Sequence, residues 1–197
     1  MPRKKPDDTR QKIITCAWEL FYQNGYDNTT IEDIVERSNT SKGTFYHYFS
    51  AKNELLSTLA ALFDAEYEKL EDRLNEEKSA FDKLLFLNRE LFRMIENSIP
   101  LELLTALYSS QLSLKGDKNL LDHDRIYYKL LRKIVIEGKS NGEFQPDVST
   151  TEIVKAYALF ERALISDWCL CSGEYSLHKY SGELLTRFFQ GFLNKEC

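Results

Sequence analysis

The side chains best suited to chemistry in this chain lie in TTIEDIVERSNTSKGTFYHYFSAK, residues 29–52. At about 100° per residue, Phe45 and Phe49 face one side of a short helix. Gly43, Thr44 and His47 project roughly opposite, with Lys42 and Tyr46 flanking them. Thr, Tyr, His and Lys donate hydrogen bonds, and Gly43 lets a backbone approach closely. A helix N-terminus adds free N–H groups and partial positive charge, so the face suits phosphates and base edges in a DNA major groove. Taken without its neighbours, the same pattern also fits a small helical core whose polar face meets only water.

The elements that must hold this face are legible around it. Thr30 and Asp33 form a capping-box pattern, and Ile31, Ile34 and Val35 recur at helical spacing, predicting a helix to about Arg37. Asn39 suits a left-handed corner, and Thr40 or Ser41 can cap the next helix. The result is a helix, a tight turn and a second helix.

The run from Arg10 through Leu56 resembles the DNA-binding domain of the TetR family of bacterial transcriptional regulators. Ala17, Phe21, Gly25, Tyr26, Thr29, Thr30, Ile34, Ser41, Lys42, Gly43, Tyr46, Phe49, Lys52 and Leu55 all match that family's pattern. Residues 38–40 are Ser-Asn-Thr where Ala-Gly-Val is more usual, a departure that bears on turn angle and local packing. The resemblance implies an all-α protein with an N-terminal three-helix helix-turn-helix domain (1–52) and a C-terminal helical effector-binding and dimerisation domain (53–197). Lys42, Gly43, Thr44 and His47 are expected to reach base edges. Tyr46 and Lys52 should position the DNA backbone, with Thr30 and Ser41 helping to hold phosphates.

A chain of 197 residues can bury a sizeable core. Its formal net charge is −5, which argues against indiscriminate phosphate binding. The distribution is uneven: residues 1–52 hold eight Lys/Arg against seven Asp/Glu, a net of +1 that leaves −6 for the rest. Arg3, Lys4, Lys5, Arg10 and Lys12 carry most of that positive charge, either as an arm near DNA or as an ordinary solvated terminus. No apolar run reaches membrane-spanning length and no secretory apolar segment follows the basic start, so a soluble, cytoplasmic protein is expected. Four cysteines do not suggest a disulfide scaffold, and the expectation for Cys169, Cys171 and His178 is no metal or cofactor.

The remaining sequence reads as helices. Apolar positions from Leu55 to Leu74 predict a long helix starting near Asn53, and Glu66 to Lys78 should present a solvated face. Further helices are expected over 81–95, from Pro100 to about Leu112, and from about Asp122 to Ser140, closed by Asn141-Gly142. The segment 115–118 reads as a loop. Ser149 with Glu152 forms a second capping box that opens a helix with an apolar stripe. The last helix carries more apolar positions than one core-facing side needs, which points to a partner subunit.

In the family this chain resembles, the final two helices form a four-helix dimer interface. That implies a homodimer through 150–171 and 176–194, with Tyr157, Leu164, Trp168, Leu184, Leu185, Phe188, Phe189 and Phe192 at the seam. Family members also commonly hold a small effector among the middle helices. Here that region offers Phe63, Tyr67, Phe86, Phe92, Tyr108, Tyr127, Tyr128, Tyr157, Phe160 and Trp168, with Arg89, Arg93, Gln111, His123 and Glu161 interleaved. The composition suits a small organic effector and also suits plain core packing. A dimeric repressor of a palindromic operator, released by its effector, is the expectation. A DNA-binding regulator without an effector is the alternative. Walker, dinucleotide-binding and nucleophile-elbow patterns are absent, which speaks against an enzyme.

Overall fold

The computed structural model describes residues 6–74, 79–113 and 119–194. Arg3, Lys4 and Lys5, the segment 115–118 and the end of the expected solvated face at 75–78 lie outside them. The described chain is helical: α1 (Pro6–Asn24), α2 (Ile31–Arg37), α3 (Lys42–Tyr48), α4 (Thr58–Glu71), α5 (Ala80–Ser98), α6 (Leu101–Ser113), α7 (Ile126–Ser140), α8 (Thr150–Leu170) and α9 (Leu177–Phe189). Among the described residues the one β contact is an isolated antiparallel bridge between Phe144 and Leu193. No helix there is long and apolar enough to cross a membrane.

Packing divides the chain into two compact units. One takes the chain up to Ala61 together with Pro100–Leu120, and the other takes Leu62–Ile99 with the chain from Leu121 onward. Helix α6 therefore groups with the helix-turn-helix, whereas the sequence reading had drawn its division between residues 52 and 53.

In the first unit Ile13, Ala17, Phe21, Ile34, Phe45, Phe49 and Leu55 are buried, so three short helices share one apolar centre. Gly25 ends α1 at φ +82°, a left-handed value that favours glycine, and its N–H reaches the Phe21 carbonyl at 3.0 Å.

The expected helix from Asn53 is interrupted. Lys52–Ser57 is a 3₁₀ segment, and α4 proper begins at Thr58. The Ser57 and Thr58 hydroxyls each donate to a carbonyl three residues back, Glu54 and Leu55, both at 2.6 Å. Such back-bonding competes with the α ladder and tightens the turn.

In the second unit α9 packs along α5, and α7 packs against both α5 and α8. Helix α7 starts at Ile126 rather than near Asp122, because Arg125 stands at the cap position and its guanidinium is held by Asp64 at 2.9 and 3.0 Å. The last helix ends at Phe189. Phe192 lies in a following turn, where its carbonyl accepts the Gln145 N–H at 2.9 Å.

Candidate nucleic-acid interface

The corner between α2 and α3 is fixed by local hydrogen bonds. Thr30 Oγ1 accepts the Asp33 N–H at 3.2 Å, and Asp33 Oδ2 accepts the Thr30 N–H at 2.8 Å, closing the capping box. The reciprocal bonds hold the Asp33 carboxyl below its usual range, the side-chain bond from Thr30 being the larger cause. Asn39 takes φ +48°, the left-handed corner expected of it. The Ser-Asn-Thr departure satisfies itself: Ser38 is fully buried and its hydroxyl meets the Thr40 hydroxyl at 2.8 Å. Ser41, rather than Thr40, caps α3, accepting the Thr44 N–H at 3.1 Å.

On α3 the two faces separate as the spacing requires. Phe45 and Phe49 are buried with ring centroids 5.5 Å apart. Lys42, Gly43, Tyr46 and His47 are exposed and Thr44 is half-buried. Tyr46 stands out most among the aromatic residues here, at 55% exposed.

A Cβ added at Gly43 would meet only Ser41 Oγ, at 3.7 Å, and its φ is not left-handed. Nothing inside the chain requires glycine at that point, which leaves close approach from outside as the physical use of its small size.

Lys42 pairs with Glu32 across the turn; their hydrogen bond lowers the Glu32 carboxyl and raises the Lys42 ammonium. Both side chains are more than half exposed, so phosphate can compete for Lys42.

Other expected DNA contacts have internal duties. The Lys52 ammonium donates to the Tyr26 and Thr29 carbonyls at 2.7 and 2.8 Å and sits 4.2 Å above the Tyr26 ring. Partial burial lowers its pKa. Lys52 thus pins the α1–α2 loop, and the Thr30 and Ser41 hydroxyls serve as caps. Arg10, close by, lies over the Phe49 ring at 5.3 Å.

The residues expected around an effector divide three ways. Tyr67, Tyr127, Tyr157 and Glu161 come together inside the second unit, among buried Phe63, Phe86, Phe92, Tyr128, Phe160 and Trp168. Arg89 and Arg93 instead lie on the surface and pair with Glu90. His123 is exposed against the Tyr128 ring. Tyr108 and Gln111 belong to α6 in the first unit. The sequence reading missed Asn88, fully buried beside Glu161, although an Asn inside the apolar run LLFLN was the available signal.

Of the expected seam residues, Tyr157, Leu164, Trp168, Leu185 and Phe189 are buried in the chain's own core. Tyr157 donates to the Leu84 carbonyl at 2.9 Å and Trp168 to that of Tyr175 at 2.8 Å. Leu184, Phe188 and Phe192 reach the surface, where the sequence reading overlooked Leu159, Leu170 and Tyr180. At the start of α9, His178 Nδ1 lies 2.6 Å from Glu96 Oε2.

Residues 13–59 match the profile of the bacterial regulatory proteins of the tetR family, and residues 62–191 match that of the C-terminal region of YsiA-like proteins. The chain belongs to the TetR family. It is a DNA-binding transcriptional regulator. The fatty acid metabolism regulator protein of Bacillus subtilis is 24% identical over 99% of this chain and 100% of its own length. The transcriptional regulator QacR of Staphylococcus aureus is 30% identical over 68% of this chain and 73% of its own. The fold is shared with Thermus thermophilus FadR, a TetR-family repressor crystallised with lauroyl-CoA. That match has a TM-score of 0.75 at 22% identity and covers 95% of this chain and 97% of that one.

Proposed function

We propose that this chain is a homodimeric repressor that binds an inverted-repeat operator through α3 and leaves it when a small organic effector enters the second unit. The observation that carries the reading is the outer face of α3, where Lys42, Gly43, Tyr46 and His47 are exposed and Gly43 has no internal purpose. On this reading Lys42, Gly43, Thr44 and His47 address base edges and Tyr46 a phosphate, while Lys52 acts indirectly by fixing the α1–α2 loop.

Dimerisation follows from the same logic applied to α8 and α9. Leu159, Leu170, Tyr180 and Phe188 are large apolar side chains left exposed by the single chain, Leu170 at 85% and Phe188 at 42%. Apolar area of this kind on two adjacent helices gains from burial against a second copy.

Selection of bound sequences from a random duplex library tests the proposal. A dyad-symmetric consensus, whose enrichment is lost in Tyr46→Ala and Gly43→Ala proteins that still fold, is the expected result. An asymmetric consensus, or full binding by both variants, would refute it. Lauroyl-CoA, the ligand of the Thermus relative, is a reasonable first compound for release assays.

A further inference from the structure

Inside the second unit, four helices bring together an acidic cluster whose charge is met by neutral groups. Glu161 on α8 is 4% exposed. Its Oε1 accepts from Asn88 Nδ2 on α5 at 3.0 Å, and its Oε2 accepts from the Tyr127 hydroxyl on α7 at 2.8 Å. A longer bond, 3.4 Å, comes from the Tyr67 hydroxyl on α4. Tyr157, one turn before Glu161, completes the group. Asn88 is fully buried, and its Oδ1 has no hydrogen-bond partner among the described residues. The cation nearest this group in the chain, Arg125, is committed to Asp64.

Two acceptors thus stand side by side in the interior, one a carboxylate and one an unused amide carbonyl. A buried carboxylate without a cation is costly, and a buried acceptor without a donor adds to the cost. Aromatic faces surround them, with the Tyr67 and Tyr127 rings 5.0 Å apart. Acceptors plus π faces complement a positively charged, donor-bearing or quaternary group on an apolar body. The acyl chain of an acyl-CoA finds no such complement here.

We propose that the Glu161, Asn88 and tyrosine cluster is a recognition site for a lipophilic organic cation. The inference rests on the reading that the second unit takes an effector, and it names that effector's class. Tyr67 is the most weakly held member and lies on α4, which runs from one compact unit into the other. A cation that takes the place of Tyr67 at the carboxylate displaces α4, and so gives binding a route to the DNA-binding unit.

Tetraphenylphosphonium and tetraphenylborate have the same shape and opposite charge, which makes them suitable probes for titration calorimetry on the full chain, with lauroyl-CoA as a third ligand. The cation is expected to bind at least about tenfold more tightly than the anion. Glu161→Gln, which keeps the shape, should remove that preference by weakening the cation alone.

Burial raises the Glu161 pKa against the hydrogen bonds that lower it. The tyrosines facing it, Tyr67, Tyr127 and Tyr157, are pushed well above the usual range, chiefly by burial, and stay protonated at neutral pH. Cation affinity should therefore rise with pH as Glu161 ionises and stay flat in Glu161→Gln. If that variant misfolds by circular dichroism, the cation–anion comparison and the pH profile of the unaltered protein still decide the matter. Equal affinity for the two probes, or binding of lauroyl-CoA without the cation, overturns the inference and leaves the effector reading standing. Binding of none of the three overturns the inference and also counts against an effector site in this unit.

Discussion

At the scale of single residues, Gly43 and Lys52 separate a binding role from a structural one. Gly43→Ala should keep or raise the melting temperature, since alanine is favoured over glycine in a helix by up to about 1 kcal/mol and meets open space here. Operator affinity should nevertheless fall by about tenfold, because the added methyl group stands where DNA must approach. Thermal melts and mobility shifts on one preparation would check the pair of effects. Lys52→Ala should behave differently. It removes two hydrogen bonds to carbonyls and a cation–π contact, so a loss of about 1–3 kcal/mol in stability is expected alongside any loss of binding. Stable Lys52→Ala protein with weakened, salt-insensitive DNA binding would return Lys52 to direct phosphate contact. The two roles could not be told apart in sequence: the Lys52 partners, Tyr26 and Thr29, lie more than twenty residues away and offer only backbone carbonyls, which leave no mark on side-chain pattern. The caps at Thr30, Ser41 and Ser149 were legible because their partners lie three residues on.

At the scale of elements, periodicity and capping chemistry placed the helices, and back-bonding hydroxyls moved one boundary. The 3₁₀ segment at Lys52–Ser57 carries the same apolar spacing as a helix, so Leu55 and Leu56 gave no warning of it. The turn between α2 and α3 was readable through Asn39, and its left-handed φ makes a sharp test. Asn39→Gly should leave stability nearly unchanged, whereas Asn39→Val should cost about 1–2 kcal/mol, because a β-branched residue resists that conformation. Urea denaturation would measure both, and equal stability of the two would mean that the corner does not need a left-handed residue. Likewise Ser149→Ala, which removes the α8 cap, should cost about 1 kcal/mol. The apolar excess of α9 was visible in sequence, but which residues turn outward was not, since assigning Phe188 to the surface and Phe189 to the core needs the rotation of the helix against α5.

At the scale of the whole molecule, the buried Glu161 links stability to pH. Its folded-state pKa is raised, so the folded chain holds a proton that the unfolded chain gives up, and stability falls as pH rises from the ordinary carboxyl range through the raised value. Glu161→Gln should flatten that decline in melting temperature, and an unchanged pH profile would mean that Glu161 does not dominate it. The cluster was partly legible, since the aromatic and acidic residues were visible as candidates. That α4, α5, α7 and α8 bring Tyr67, Asn88, Tyr127 and Glu161 to one point is a matter of long-range packing. The central claim is that two copies present two α3 faces to one duplex, and hydroxyl-radical footprinting of the selected operator tests it most directly. Two dyad-related protected patches, centred about 34–36 Å apart or somewhat more, are predicted for the unaltered protein and should vanish in Phe188→Asp. One asymmetric patch, or an identical footprint from a monomeric Phe188→Asp protein, would contradict the account.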